Sequence, residues 1–427
     1  MIDDADYFVA ADANLENITH FTVTGWWKPN GEQQAFSALF SSGDWCAHCD
    51  YTEGLIFSYF GDKLWYKWPG GASWGSNSGI VVPLDEWSYV ALVIEPFKVS
   101  LYLNDQVYTD NRTMSPGNIT NLHIGKGHYS KYFKGEIDEV TVWNRALTQE
   151  EVRLLRHLTK EGQIPTDPNL IAYYQFNTLV NENRIQDHAG TLHGKLIGNA
   201  SLTESTVPVG AGTSQMQFIN GSGIFNYPDA GVSLSFPATG PYPNGEVVVS
   251  RITVGPDLSA CTSCLATNYW IINNYGSNNT INLLTELSLD EEGDHPFYEN
   301  GYLISLHQRD ENGYGSNWEE IDNAHELIGP QGEVLFNANL NLDSFGQYDF
   351  DFSWTGVEWI GVVDTAWNNP GNWSTGSVPT SSSNVLIPEG TPHYPDVDVN
   401  VTINLLCVMQ GAELQVRNGY NFEVINN

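Results

Sequence analysis

The stretch Gly135-Glu136-Ile137-Asp138-Glu139-Val140-Thr141-Val142-Trp143 reads as a single β-strand. Successive side chains of a strand point to opposite faces of its sheet, so Glu136, Asp138 and Val140 are expected on one face. Glu139 is out of phase with them and is expected on the other face. The stretch ends in a tryptophan, and strands favour aromatic residues.

Short strands separated by turn signals lie on both sides of it along the chain. Residues 21–27 alternate and are followed by a Pro-Asn-Gly turn, and residues 87–94 form a second apolar strand. Residues 99–103 and 106–108 predict a hairpin, because the polar pair Asn104-Asp105 separates them. The pattern is typical of an antiparallel all-β fold.

One helix interrupts the strands and is predicted over residues 147–158. Thr148 and Glu151 have the spacing of a capping box, in which each side chain satisfies a free backbone N–H at the start of the helix. Three apolar side chains then fall on one face of the helix: Val152, Leu155 and Leu158.

In their order and spacing these segments resemble the laminin G-like, concanavalin A-like jelly-roll domain. The resemblance covers about residues 1–203 and is carried by residues 4–9, 21–29, 87–91, 101–104, 135–147, 171–176 and 187–190. It implies a sandwich of two antiparallel sheets, which this family usually uses outside the cell to hold glycans or proteins.

Some folds of the concanavalin A type are endoglucanases, and the resemblance therefore raises the question of catalysis. Their signature is Glu-x-Asp-x-Glu on one strand, with the two glutamates acting as nucleophile and acid/base. The equivalent positions here are Glu136, Asp138 and Val140, so the second catalytic glutamate is missing. We therefore expect a protein without catalytic residues.

Aromatic residues crowd residues 64–74 and suggest where a glycan could bind. The apolar C–H faces of sugar rings lie flat on exposed aromatic planes. Trp65 and Lys67 share one face of the predicted strand and Tyr66 and Trp68 the other, so one of the two sets is expected in the core. The candidate glycan-binding residues are Trp45, Trp65, Trp68 and Trp74.

A calcium ion is the cofactor that the resemblance implies, since laminin G-like domains often bind one Ca²⁺ through oxygen ligands. The candidate ligands are Asp4, Asp6 and Asp138. The alternative is that these carboxylates are solvated at a strand end, or belong to a strand that is only structural.

Four of the five cysteines form two C-x-x-C pairs, Cys46 with Cys49 and Cys261 with Cys264. We expect each pair to form a local disulfide, which would indicate an oxidising compartment. Free thiols, or a metal or redox site, are the alternatives. Cys407 lies in an apolar stretch and is expected to be a small buried hydrophobic residue.

The charge balance excludes several classes of partner. The 427 residues include 51 Asp and Glu but only 17 Lys and Arg, which gives a formal net charge of −34. Such a chain repels nucleic-acid phosphates and anionic membrane surfaces. No apolar run reaches the roughly 18 residues that a membrane-spanning helix needs. The first residues do not read as a signal peptide, which is also true of a mature or truncated secreted chain.

The remainder of the chain predicts two further modules. Residues 204–355 contain Gly, Pro and Ser clusters between short strands and indicate a second antiparallel sandwich. Residues 356–427 resemble the Trp-Asn…Asn-Trp segments of large Bacteroidota surface proteins that use type IX secretion, where such a segment often opens a stack of β-rungs. Thr365, in Asp364-Thr365-Ala366, fits the short O-glycosylation signal of that phylum.

We therefore expect an all-β protein with three modules. These are a laminin G-like jelly roll (1–203), a β-sandwich (204–355) and a short β-rung or β-sandwich module (356–427), cut from a longer extracellular or cell-surface protein. The expected function is that of a non-catalytic adhesin or surface-display segment, whose partner is a glycan or an extracellular protein. It could also self-associate in a surface assembly. The alternatives are a stalk, sheath or fibre subunit, and the accessory region of a secreted polysaccharide- or protein-degrading enzyme.

Overall fold

The computed structural model describes residues 6–43, 56–68, 76–127, 131–160, 167–257, 268–278, 281–290, 302–315, 317–323, 326–328, 333–342, 345–409 and 411–425. Strands dominate this part of the chain, and they group into sheets that follow one another along the sequence. The all-β fold class predicted from the alternation is confirmed.

The first group of strands forms two packed antiparallel sheets. The strands are β1 (Tyr7–Ile18), β2 (Phe21–Pro29), β3 (Ala38–Ser41), β4 (Ile56–Phe60), β5 (Lys63–Lys67), β6 (Ser76–Val81), β7 (Ser88–Glu95), β8 (Lys98–Leu103), β9 (Gln106–Asp110), β10 (Gly117–Ile124), β11 (Gly135–Trp143), β12 (Leu170–Tyr174), β13 (Leu179–Asn181), β14 (Arg184–Ile185) and β15 (Gly194–Ile197). One sheet has nine strands in the order β13-β14-β15-β1-β10-β3-β4-β5-β6, and the other has six in the order β12-β11-β2-β7-β8-β9. This is the two-sheet sandwich that the resemblance implies.

The six-stranded sheet is covered on both faces. Its inner face contributes residues such as Val23, Trp27 and Val142 to the core between the sheets. Its outer face carries a second apolar cluster that includes Trp26 and Tyr173. An antiparallel sheet usually leaves one face to solvent. Here the outer face is closed by the segment that follows β11 and by residues further along the chain.

That covering segment begins with the helix α1 (Gln149–Leu154). The predicted capping box is present, because Glu151 N donates to Thr148 Oγ1 and Thr148 N donates to a Glu151 carboxylate oxygen. The helix is shorter than expected. It ends at Leu154, because Leu158 leaves it to form a β-bridge with Gly210.

The second group of strands also forms two antiparallel sheets. The strands are β16 (Gly212–Ile219), β17 (Gly223–Tyr227), β18 (Val232–Phe236), β19 (Gly245–Ile252), β20 (Tyr269–Asn274), β21 (Ile281–Asp290), β22 (Tyr302–Arg309), β23 (Glu319–Asn323), β24 (Glu326–Ile328), β25 (Glu333–Leu342) and β26 (Gln347–Trp354). The sheet orders are β16-β19-β20-β26-β22-β23 and β17-β18-β21-β25-β24. Trp270 and Phe350 pack against each other in the core between them.

The last group of strands pairs in parallel. The strands are β27 (Val357–Glu358), β28 (Asn384–Ile387), β29 (Asp396–Val397), β30 (Val401–Ile403), β31 (Leu405–Val408), β32 (Gln415–Val416) and β33 (Phe422–Val424). They form the parallel sets β27-β28-β31, β29-β32 and β30-β33. Each of the last three strands pairs in parallel with the strand three places before it, as in a stack of β-rungs, so the rung alternative is the one observed. Trp359, Trp367 and Trp373 pack together in its core.

The first two groups of sheets meet at a junction in which Arg156 is the central residue. Its guanidinium is 1% exposed and donates to Glu311 and Asn312, each at 2.7 Å, and to the Tyr275 hydroxyl at 3.3 Å. Arg153 forms an ion pair with Glu246 across the same junction. Around these polar contacts is an apolar cluster formed by Leu158, Ile252, Tyr269 and Ile271. The residues after α1 therefore seal the first sandwich against the second.

Candidate functional site

A groove of about 800 Å³ opens at the rim of the first sandwich, where β11 begins and β15 ends. Both aromatic and polar side chains line it. The aromatic ones are Tyr7, Phe8, Trp87, Tyr132, Phe133 and Phe176, and the polar ones include Asp6, Gln34, Lys134, Glu136, Asp138, Asn177, Asn199, Ser201 and Ser205. This combination of ring faces and hydrogen-bonding groups makes the groove the candidate binding site.

Tyr7 and Tyr132 are aromatic residues of the groove that are partly open to solvent. Their rings are stacked, with centroids 6.0 Å apart and an interplanar angle of 25°. Lys126 Nζ lies 4.3 Å from the centroid of Tyr7. The next residue on β1, Phe8, points into the core, so the alternation of the strand turns Tyr7 away from it. The two tyrosines are thus held as a rigid, partly exposed surface.

A β-bulge on β11 decides where the carboxylates of the motif point. Asp138 is opposite Trp26 and Thr141 is opposite Thr24, so the register shifts by one residue between them. Glu139 has a φ of 51°, in the left-handed region. The bulge puts Asp138 and Glu139 on the same outer face of the sheet. Val140, which was expected beside Asp138, lies instead on the core face. The expectations that Glu139 faces away from Asp138 and that Val140 shares its face are therefore both wrong.

Glu139 nevertheless does not reach the groove. Its carboxylate is buried and accepts a hydrogen bond from the Tyr173 hydroxyl beneath the covering segment. Lys160 is buried nearby, and its Nζ donates to the Leu155 carbonyl oxygen at 2.7 Å. Burial lowers the pKa of Lys160 to about 8, although the charge of Glu139 acts against that shift. Glu139 thus belongs to a closed polar cluster under the helix.

Glu136 and Asp138 are the β11 carboxylates that line the groove. Burial raises the pKa of Asp138 to about 6, with hydrogen bonds from the Ser205 side chain and the Glu139 N–H acting in the opposite direction. The Glu136 carboxylate is 42% exposed and lies 3.5 Å from Lys28 Nζ. Both carboxylates can accept hydrogen bonds from hydroxyl groups of a ligand.

The groove also brings together two of the three predicted calcium ligands, Asp6 and Asp138. Asp6 accepts a hydrogen bond from the Asn199 N–H at 2.5 Å. Asp4 lies outside the described residues. Within the described residues, no group of three or more His, Cys, Asp or Glu side chains has the arrangement of a metal site. Calcium binding stays a prediction.

The candidate tryptophans on and beside β5 are buried. Trp68 is in the core and donates from its indole N–H to the Ser115 carbonyl oxygen at 2.8 Å. Trp65, on the other face, packs edge-on against Phe36. The expectation that one of the two sets lies in the core is confirmed by Trp68, but Trp65 on the other face is covered as well. The burial of both indoles argues against sugar stacking on them. Trp45 and Trp74 lie outside the described residues.

The position of Tyr7 and Tyr132 in the groove was not predicted from the sequence. The available signal was the alternation of β1, in which Tyr7 stands beside the apolar Phe8 and must face outward. Tyr132 lies in a loop, and its position depends on the contact with Tyr7, which no local pattern predicts.

The remaining predicted sites lie away from the groove. Thr365 is exposed, and its backbone carbonyl accepts from the Asp396 N–H at 2.7 Å, so its side chain is accessible for the predicted glycosylation. Cys407 is buried as expected. The cysteines of the two C-x-x-C pairs lie outside the described residues: Cys46, Cys49, Cys261 and Cys264. No helix among the described residues has the length and apolar character to cross a membrane.

Comparison with known families places the fold of the first module. Residues 3–153 match the laminin G-like family described as the concanavalin A-like lectin/glucanases superfamily. Residues 358–427 match a domain of unknown function, DUF8693. A search of curated proteins found no significant match to the chain. The concanavalin A-like fold that the resemblance implied is thus confirmed for the N-terminal module.

Several solved structures are weakly similar to the chain. One, from Bacteroides ovatus, is described as a candidate carbohydrate-binding protein; it is 16% identical, with 45% of this chain and 56% of that chain covered and a TM-score of 0.35. A pentraxin from Limulus polyphemus is 17% identical, with coverages of 44% and 88% and a TM-score of 0.31. A sialidase-associated module from Ruminococcus gnavus, bound to sialyllactose, is 14% identical, with coverages of 32% and 82% and a TM-score of 0.29. The chain thus spans little more than half of the first structure, and similarities this weak carry no inference about a ligand.

Proposed function

We propose that the first module binds a glycan in the groove at its rim, and that the chain is a non-catalytic adhesin or surface-display segment of an extracellular protein. The observation that supports this proposal is the stacked pair Tyr7 and Tyr132 beside the acceptor groups of the groove. Aromatic rings give large rigid contact surfaces. Amide and carboxylate oxygens next to them can orient the hydroxyl groups of a sugar.

The absence of catalysis is proposed on the basis of the motif strand. Hydrolysis with retention requires two carboxyl groups about 5–5.5 Å apart across the scissile bond. The position of the second glutamate is Val140, whose side chain lies in the core. Glu139 is held by Tyr173, and Glu136 lies in an ion pair with Lys28. These contacts favour a carboxylate set that holds the fold and accepts hydrogen bonds.

The test is glycan binding by the whole chain, first on a glycan array and then by calorimetry with the best ligand. Tyr132→Ala should weaken binding roughly tenfold, since truncating an aromatic anchor typically removes about 1–2 kcal/mol. Phe97→Ala is the matched control, because Phe97 is an exposed aromatic residue outside the groove and should leave affinity unchanged. Titrations with added Ca²⁺ and with a chelator test the predicted cofactor.

Two results would contradict the proposal. Binding that survives Tyr7→Ala and Tyr132→Ala together would remove the groove as the site. Release of reducing ends from a bound polysaccharide would show that the module is catalytic.

A structural spacer is the second candidate function, and the junction favours it. The buried Arg156 contacts fix the first sandwich against the second, as a stalk that transmits force would require. Filaments of the purified chain in electron micrographs would support this candidate. A monomeric chain with tight glycan binding would count against it.

A further inference from the structure

The positive charges of this chain are very unevenly distributed. All of its lysines and arginines lie in residues 1–203 except Arg251, Arg309 and Arg417, although Asp and Glu occur throughout. Five of those in the first module surround the groove or extend from it. We call these five the cationic face: Lys126, Lys131, Lys134, Arg184 and Lys195.

The strand register places part of the cationic face in one row across the nine-stranded sheet. Arg184 is the cross-strand partner of Lys195, and Lys195 is the partner of Val9. Val9 is in turn the partner of His123 on β10. Direct cross-strand partners share a face of their sheet, so these side chains lie side by side. Since Phe8 points into the core, this row is on the outer face.

The other three lysines lie on the loop between β10 and β11, beside the same row. Lys126 Nζ packs on the ring of Tyr7, and Tyr7 also contacts His123. Lys134 lines the groove, and Lys131 Nζ donates to the side chain of Gln34, which lines it as well. The cationic face therefore continues directly from the groove onto the outside of the sheet.

None of the five has a carboxylate within ion-pair distance in the part of the chain that the structure describes. Elsewhere the described basic residues commonly have such a partner, as do Arg112 with Asp110, Arg145 with Glu151 and Arg417 with Asp396. Carboxylates outnumber cations threefold in this chain, 51 to 17, and could readily have supplied partners. The cationic face, whose five cations have no carboxylate partner among the described residues, is therefore the exception.

We infer that the ligand of the groove is an anionic glycan, a polysaccharide carrying carboxylate or sulfate groups that continues from the groove onto the cationic face. This inference rests on the proposed function. At physiological ionic strength, charges more than about 8 Å apart are largely screened, so the five cations can act on acidic groups at the cationic face despite the net charge of the chain. Asp6, Glu136 and Asp138 in the groove are acceptors for the hydroxyl groups of the sugar. The tyrosines contact the sugar rings, and the five cations pair with the acidic groups along the polymer.

The experiment compares two polymers that differ only in charge, polygalacturonate and its fully methyl-esterified form, in binding to the whole chain. The charged polymer should bind at least tenfold more tightly at low salt and lose that advantage as salt is added. The double variant Arg184→Gln/Lys195→Gln should weaken binding of the charged polymer about five- to tenfold and leave the ester unaffected. The control Lys63→Gln/Lys98→Gln removes the same charge from exposed ion pairs elsewhere in the module and should change neither affinity.

The other outcomes separate the inference from the proposed function. If the ester binds as tightly as the acid, or the control variant loses as much affinity, the inference falls while glycan binding stands. Binding of neither polymer, together with no hit on the glycan array, overturns both. If a single-stranded DNA oligomer binds as tightly as polygalacturonate and is lost in the same variant, the face recognises polyanions in general and the glycan assignment is wrong.

Discussion

The two outer faces of the first sandwich carry positive charges in opposite ways. Over the six-stranded sheet, in the segment that covers it, Arg153 and Arg156 are buried at the junction. They form ion pairs with Glu246 and Glu311 of the second module. On the nine-stranded sheet, the cations of the cationic face have no carboxylate partner among the described residues. A buried charge must be compensated within the protein, whereas an exposed one can be left to solvent or to a ligand.

The difference shows which charges hold the fold and which are available for binding. Burial acts to lower the pKa of Arg156, but the neighbouring Glu311 and Tyr275 outweigh it and raise that pKa above its ordinary value. In the same surroundings, burial and then the charge of Arg156 lower the pKa of the neighbouring His157. The junction therefore carries a fixed charge pattern, and the predictions below test each side of the comparison.

The largest expected effect is at the junction. Arg156→Met keeps the contact with Trp26 but removes the partner of Glu311 and Asn312. Breaking one side of a buried ion pair typically destabilises by about 3–5 kcal/mol. Urea unfolding should show this loss, and calorimetry should separate the unfolding of the first two modules.

Arg417→Met is the control for that prediction. Arg417 pairs with Asp396 at an exposed position, so its loss should change the free energy of unfolding far less than Arg156→Met does. If both variants had equally small effects, the junction charges would not hold the modules together.

A smaller effect on stability is expected at Asp138, a buried carboxylate that belongs neither to the junction nor to the cationic face. Its pKa is raised to about 6 from 3.8, so the folded chain binds the proton more tightly than the unfolded chain does. Stability from this group is therefore lost as the pH rises from about 4 through 6. Asp138→Asn should stabilise the protein at pH 7.5 by about 1–3 kcal/mol and have little effect at pH 4.

The measurement is the difference in unfolding free energy between variant and wild type at the two pH values. The amide side chain of the variant would keep an acceptor for the Glu139 N–H, so the comparison isolates the charge. A variant that is destabilised at pH 7.5 would mean that the ionised carboxylate is needed by the fold.

The smallest effect on stability is expected on the cationic face. Arg184→Gln/Lys195→Gln should shift the free energy of unfolding by less than about 0.5 kcal/mol, since both side chains are exposed and unpaired with any described carboxylate. Thermal unfolding at two salt concentrations checks this. A loss comparable to that of Arg156→Met would mean that these cations belong to the fold and are not reserved for a ligand.

Local sequence patterns predicted much of the fold of the first module. The strand over residues 135–143 and the capping box of Thr148 with Glu151 depend on neighbouring residues, and both are confirmed. The bulge at Glu139 was not predictable in this way. Glu139 accepts its hydrogen bond there from Tyr173, which is 34 residues away in the sequence.

The candidate site was only partly predictable for the same reason. Asp6 and Asp138 were identified from the sequence and do line the groove. Trp65 and Trp68 were chosen for their ring chemistry, but alternation gives the face of a side chain and not whether that face is covered. Their burial depends on packing by residues from other parts of the chain.

The sequence by itself determined that this chain is all-β, because alternation and turn residues act over a few neighbouring positions. The two-sheet sandwich of its first module was what the family resemblance implied. Only the tertiary structure decided which charged side chains are buried in ion pairs and which are exposed to solvent. The partner of Arg156 is 155 residues away, and Lys195 meets Val9 only after β1 and β15 have paired. Pairing and solvent exposure of a charge are properties of the folded surface, since they depend on which distant segments come to lie beside it.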